Sequence, residues 1–199
     1  MVGIVNYGAG NIFSLTAALD RVGVQYGMIN NEDEFDHYER IIIPGVGHAG
    51  AAMDKLKKSG LAERIVTFRK PVLGICVGMQ LLTSYSEEGD ADLLGIVPLK
   101  TLHFDKRIDE KVPHMGWNSV SPQNGCVLFQ GIPDNSYFYF VHSYFIESDD
   151  TYTSARCNYG INFSASIQKD NFFGVQFHPE KSGKAGEQLL LNFSRMVIS

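Results

Sequence analysis

The chain has 199 residues, of which 44% are apolar and 20% charged, an ordinary make-up for a soluble globular protein and enough length for one α/β domain with a sizeable core. Its formal charge of 17 − 22 = −5 argues against electrostatic binding of nucleic acid. No apolar run approaches the roughly 20 residues of a membrane span, and the N-terminus has no signal-peptide basic region or cleavage site. Cys76, Cys126 and Cys157 are odd in number, widely spaced and without a CxxC pair. They suggest neither a zinc site nor a disulfide framework, but a reducing, cytoplasmic setting in which Cys126 and Cys157 are buried structural thiols.

Val2 to Asn6 reads as a short buried strand, and Tyr7-Gly8-Ala9-Gly10-Asn11 turns it into a helix. There Ile12, Leu15, Leu19 and Val22 recur at helical spacing until Gly23 stops them. The Gly8-x-Gly10 pair looks like the start of a dinucleotide fingerprint, but Phe13 stands at the third glycine position and no acidic residue follows the next strand, which ends at Asn31. A tight turn bringing backbone near a site explains the glycines better. Arg40 to Ile43 is the next strand, and it breaks into Pro44-Gly45-Val46-Gly47, whose N–H groups could form an oxyanion hole. A phosphate loop is the weaker alternative, because the Gly-Lys-Ser/Thr ending is missing. Ala51 to Leu56 and Leu61 to Phe68 read as helices.

Pro71 to Leu82 carries the strongest signal. A buried strand, Val72 to Ile75, runs into a helix starting near Gly78, with Cys76 at the turn as Gly74-Ile75-Cys76-Val77-Gly78. This is the G-x-nucleophile-x-G elbow with cysteine in place of serine. The helix N-terminus beneath would favour a thiolate, and the Val77 N–H could face a developing oxyanion. A buried structural cysteine between glycines is the bland alternative.

The second half changes character. Gly95 to Phe104, His114 to Val120, Tyr137 to Ile146, Thr151 to Asn158 and Phe163 to Gln168 read as strands rich in aromatic and β-branched residues. Asp149-Asp150 and Lys169-Asp170-Asn171 read as turns between hairpin arms. Phe172 to Phe177 is a last strand, and the closing helix has Leu189, Leu190, Phe193, Met196 and Val197 on one face. Strands and helices alternate in the first half and strands dominate the second. The expected fold is therefore α/β, one domain over residues 1–199, with a mostly parallel central sheet flanked by helices and additional antiparallel strands in the second half.

A cysteine needs help to act as a nucleophile at neutral pH, usually from a histidine oriented by a carboxylate or amide. His178 and Glu180 are the candidates: i and i+2 of an extended segment share a side, and Pro179 blocks helical continuation. A surface turn with both side chains solvated is the alternative. His37 reads as exposed. His48, His114 and His142 could line a site, although each also reads as a satisfied structural histidine. No pair has metal-ligand spacing, so no metal is expected.

Cys76 in GICVGMQ, followed a hundred residues later by Phe177-His178-Pro179-Glu180, resembles the triad (class I) glutamine amidotransferases with their flavodoxin-like fold. Four further stretches resemble the glutaminase subunits of imidazole glycerol phosphate synthases: Tyr7-Gly-Ala-Gly-Asn11, Pro44-Gly-Val-Gly47, Pro113-His-Met-Gly-Trp-Asn118 and His178-Pro-Glu-Lys-Ser182. The resemblance covers nearly the whole chain. It implies that Cys76 attacks the side-chain amide of glutamine, that His178 protonates the departing ammonia while Glu180 orients it, and that a γ-glutamyl thioester is then hydrolysed. It implies an oxyanion hole from Val77 and an N–H of Gly45, Val46 or Gly47. Gln80, otherwise read as a surface residue, would grip the substrate together with the backbone of His142, Ser143 and Tyr144. No cofactor is implied. The implied partner is a cyclase subunit, a (β/α)₈ barrel, which uses the ammonia to make imidazole glycerol phosphate and an aminoimidazole carboxamide ribotide. Asn11, Trp117, Asn118 and Lys181 would lie at or near that interface, although a core position is the commoner fate of a tryptophan. After Gly47 the family pattern has a small residue and then an aromatic one, where this chain has His48-Ala49. A related subunit feeding ammonia to a different synthase is the alternative reading.

Overall fold

The computed structural model describes residues 1–105 and 107–197. In chain order the elements are β1 (Val2–Val5), α1 (Ile12–Arg21), β2 (Tyr26–Ile29), β3 (Arg40–Ile43), α2 (Ala49–Lys58), α3 (Leu61–Thr67), β4 (Val72–Ile75) and α4 (Val77–Leu81). There follow β5 (Thr83–Ser86), β6 (Ala91–Asp92), β7 (Val97–His103), β8 (His114–Pro122), β9 (Ser136–His142), β10 (Tyr144–Ile146), β11 (Thr153–Tyr159), β12 (Ile161–Lys169), β13 (Phe172–Val175) and α5 (Gly183–Arg195).

Nine strands form one sheet in the order β2-β1-β3-β4-β13-β12-β11-β8-β9. It is parallel from β2 to β13 and antiparallel from β13 to β9. The antiparallel strands of the second half thus extend the parallel sheet rather than stand apart from it. All four residues of β1, β4 and β13 are buried, as strands covered on both faces must be. α1 buries Leu15, Ala18 and Leu19 from its apolar stripe, each such leucine contributing roughly 1.5–3 kcal/mol.

Four further strands form a second sheet, β10-β7-β5-β6, and here the sequence reading needs correction. The helix after Cys76 is only five residues long, and it is followed at once by a strand, Thr83–Ser86, that the sequence reading did not identify. The segment Tyr137 to Ile146 is two strands in different sheets, parted at Ser143. The Asp149-Asp150 turn accordingly joins the two sheets and is not a hairpin tip. α5 ends at Arg195, so Met196 packs inward from beyond the helix and Val197 is exposed. Cys157 is buried as expected, whereas Cys126 is only half-buried.

Candidate active site

β4 delivers Cys76 in a conformation (φ 55°, ψ −111°) that ordinary residues avoid. The neighbouring glycines are forced by close approach: a Cβ on Gly74 would collide with the carbonyl of Gly78, and one on Gly78 with the carbonyl of Ile43. This is the elbow anticipated from the sequence. The Cys76 N–H donates to the Val175 carbonyl at 2.8 Å, locking the turn to the neighbouring strand. A five-residue helix sums few peptide dipoles, however, so the support expected from the helix N-terminus is small. Side chains take that part instead. β13 pairs with β4 in the register Val175↔Ile75, which sets Gln176 beside Cys76 at the strand ends. The buried Gln176 amide Nε2 donates to Cys76 Sγ at 3.7 Å.

His178 Nδ1 lies 2.7 Å from Glu180 Oε1, with both side chains almost wholly buried, so the solvated-turn alternative fails. The contact does not arise in extended chain. Pro179–Lys181 is a single 3₁₀ turn with Pro179 in its first position, and it folds Glu180 back onto the ring. The ring's backbone is pinned as well: His178 N–H donates to the Tyr139 carbonyl at 2.9 Å, and the Ser182 hydroxyl donates to the His178 carbonyl at 2.6 Å. Burial by itself pulls the imidazole pKa down. Hydrogen bonds to Cys76 and Glu180 outweigh it and raise the pKa well above the ordinary histidine value. Such a ring favours the imidazolium form beside the Cys76 sulfur.

Cys76 and His178 open into a cleft of about 340 Å³ whose walls include Val46, Gly47, Val77, Gln80, His142, Ser143 and Tyr144. All the residues expected to bind substrate therefore converge here. Gln80 is buried rather than on the surface: its Nε2 donates to Gln176 Oε1 at 3.1 Å and to the Tyr144 carbonyl at 3.4 Å. Its Oε1 is buried without a partner. Gly45 lies under the elbow, where a Cβ would collide with the Gly78 N–H, while Val46 and Gly47 (φ 87°) stand exposed at the mouth. The loop is anchored from behind by the buried Tyr7 hydroxyl, which donates to the Pro44 carbonyl at 2.7 Å. Burial, and secondarily Cys76, hold that phenol well above its usual pKa. His48 serves its own helix, its Nδ1 accepting from Ala51 N–H to cap α2.

Four residues at the site escaped the sequence reading: Val141, Glu88 and Pro113 in the cleft wall, and Gln176 beside the thiol. Gln176 sits in the same GVQFHPE run as His178 and could have been found from strand register alone. Glu88 reaches the cleft from the turn between β5 and β6, a segment the sequence reading left unassigned; its Oε2 accepts from Ala49 N–H at 2.6 Å. Pro113 completes the rim. A larger depression of about 540 Å³ at Pro122–Asp134 contains Cys126 but neither histidine nor glutamate, and it is a poorer candidate.

The residues expected at a partner interface separate. Trp117 is 56% exposed, flanked on its face of β8 by the exposed Met115. Across the β8–β9 pairing it opposes Tyr139, with ring centroids 6.1 Å apart, and the exposed Lys181 lies over the Tyr139 ring at 5.9 Å. Asn11 caps α1, its Oδ1 accepting from Ser14 N–H. Asn118 points to the opposite face of β8, where its Nδ2 donates to the Asn158 carbonyl at 2.9 Å and contacts His114. The alternation of side chains along a strand separates it from Trp117. Among the described residues no group of three or more His, Cys, Asp or Glu side chains could hold a metal ion, and no helix is long and apolar enough to cross a membrane.

Comparison with known proteins gives a consistent result. The model of the class-I glutamine amidotransferase family matches residues 3–196. The chain is 45% identical over 204 residues to imidazole glycerol phosphate synthase subunit HisH 2 of Pseudomonas aeruginosa, covering 99% of this chain and 100% of that protein. It is 46% identical to imidazole glycerol phosphate synthase subunit HisH of Haemophilus influenzae, covering 98% and 96%. Among solved structures, one described as a glutamine amidotransferase superposes with a TM-score of 0.75 at 14% identity, covering 96% of both chains. PurLQS from Thermotoga maritima gives 0.70 at 20% identity, again covering 96% of each.

Proposed function

The chain belongs to the class-I glutamine amidotransferase family, and from this premise we propose that it is the glutaminase subunit of an imidazole glycerol phosphate synthase, acting in histidine biosynthesis. The observation that carries the chemistry is the buried His178–Glu180 pair at 2.7 Å, opening with the strained Cys76 into one cleft. Cys76 attacks the amide carbon of glutamine as a thiolate. His178 gives its proton to the departing ammonia, and Glu180 holds the ring in place and stabilises its charge. Water then opens the γ-glutamyl thioester, with His178 serving as base, and glutamate leaves. The Val77 N–H and an N–H of the Gly45-Val46-Gly47 loop receive the oxyanion, each such donor being worth about 10²–10³ in rate. Gln80, its Oε1 unpartnered, and the backbone of His142, Ser143 and Tyr144 hold the amino-acid end of the substrate, with Glu88 placed to meet its ammonium.

The 199 residues act as one domain, in the cytoplasm, and pair with a (β/α)₈-barrel cyclase subunit that consumes the ammonia. The face formed by the exposed Met115 and Trp117 and the half-buried Tyr139, with Lys181 beside it, is the surface offered to that barrel. The deciding experiment is glutamate release from glutamine, with and without the cyclase and its ribonucleotide ligand. Strong stimulation by the pair supports the assignment, and Cys76→Ala must abolish it without loss of complex formation. Full activity of the chain alone would indicate a free-standing hydrolase. Silence with the cyclase would point to a different synthase.

A further inference from the structure

A column of side chains behind the cleft takes no part in the chemistry described above. His142 Nδ1 lies 2.7 Å from the Tyr144 carbonyl, His142 Nε2 lies 2.9 Å from His114 Nδ1, and His114 Nε2 lies 3.2 Å from Asn118 Nδ2. Both rings are buried. Only one proton arrangement satisfies every contact. A carbonyl can only accept, so His142 carries its proton on Nδ1. Burial keeps His142 neutral, pushing its pKa down to about 3 and that of His114 to about 4. His142 Nε2 is therefore bare and must accept from His114 Nδ1–H, which leaves His114 Nε2 to accept from the Asn118 amide. Asn118 fits this order, since its Nδ2 also donates to the Asn158 carbonyl while its Oδ1 accepts from Ser119 N–H. The Tyr144 carbonyl at the far end also accepts from Gln80, and Gln80 donates to Gln176, the residue against the Cys76 thiol.

We propose that His114 is a positioning residue for the glutaminase reaction, fixing the tautomer of His142 and through it the Tyr144 carbonyl and the Gln80 amide that hold glutamine. This rests on the glutaminase reading of the cleft. Without the His114 donor, His142 is free to take the Nε2–H form, which turns a lone pair toward the Tyr144 carbonyl and releases it. The relay starts on β8, the strand that carries Trp117 on its other face, so the substrate-holding wall is tied to the element offered to the partner.

The test uses the full chain in complex with its cyclase and sets packing against hydrogen bonding. His114→Phe keeps the aromatic stacking on Tyr159 and Phe140 (centroids at 4.0 and 4.7 Å) but has no donor. His114→Asn loses the stacking but puts an amide N–H near the Nδ1 position. The expected result is a KM for glutamine raised about tenfold in His114→Phe, with kcat little changed, and returned toward wild type in His114→Asn. A purely structural role predicts the reverse order. Wild-type KM in His114→Phe, or an equal rise in both variants, would overturn the proposal. Nitrogen-15 spectra of the wild-type imidazoles give an activity-independent reading: both rings must be neutral and protonated on Nδ1 at pH 7, and an Nε2–H form of either ring refutes the relay. If the wild-type complex releases no glutamate, the functional reading fails, and the tautomers alone decide the relay.

Discussion

At the scale of single residues, the proposed site surrounds a strained cysteine with side chains rather than with a long helix. Gln176 donates to Sγ, and His178 carries a proton that Glu180 and Cys76 help it to keep. The sign of the shift sets the pH dependence. A histidine with a raised pKa stays protonated above its ordinary value, and activity that needs the imidazolium falls only as pH rises through the raised pKa. Glu180→Gln leaves an acceptor near Nδ1 but removes the charge. It should lower kcat by about 10²-fold and move the alkaline limb of the pH–rate profile toward acid. A limb that stays in place would mean that Glu180 does not hold the His178 proton.

Among elements, the β8–β9 pair has two faces with different demands. Its inner face buries His114 and His142 as neutral rings. The unfolded chain binds protons on both near the ordinary 6.5, whereas the fold refuses them down to about 4 and about 3. Stability must therefore fall as pH is lowered from 6.5 toward those values. Urea unfolding midpoints measured across that window should fall less steeply in His114→Phe than in wild type; equal slopes would mean that His114 is protonated in the fold. Elements also mark how far the sequence could be read. The elbow at Cys76 was legible because its glycines answer a local steric demand, and β1 and β4 because strands buried on both faces are apolar throughout. β5 was not legible: Thr83-Ser84-Tyr85-Ser86 follows a helical apolar run, and its partners Val97 and Lys100 lie beyond a turn. The break at Ser143 was equally hidden, since a strand that changes sheets keeps its aromatic composition. His178 and Glu180 were paired correctly for the wrong local reason, a 3₁₀ turn doing what extended chain was expected to do.

For the whole molecule, the cleft proposed to be catalytic and the aromatic face of β8–β9 meet at Tyr139, whose carbonyl receives the His178 N–H while its ring lies beside Trp117 and Lys181. Trp117 is exposed and contributes little to the core. Trp117→Ala should therefore leave the circular dichroism and unfolding midpoint nearly unchanged while weakening cyclase binding by about 2 kcal/mol or more. Titration calorimetry showing unchanged affinity would move the docking surface elsewhere. The interface residues were the least legible part of the chain, because face, not identity, decides exposure in a strand: Trp117 and Asn118 are adjacent in sequence and point to opposite sides.

The pairing of β13 with β4, offset by a constant hundred residues, also dictates when the proposed site can assemble. β13 is the last of the described strands in chain order, yet it lies in the middle of the sheet, between β4 and β12. A nascent chain emerging from the ribosome holds the Cys76 elbow long before Gln176, His178 and Glu180 have been synthesised. Closing so long a loop is slow relative to local contacts. Gln176, His178 and Glu180 thus reach the Cys76 sulfur only once the sheet has closed around β13, so assembly of the proposed site is tied to completion of the sheet.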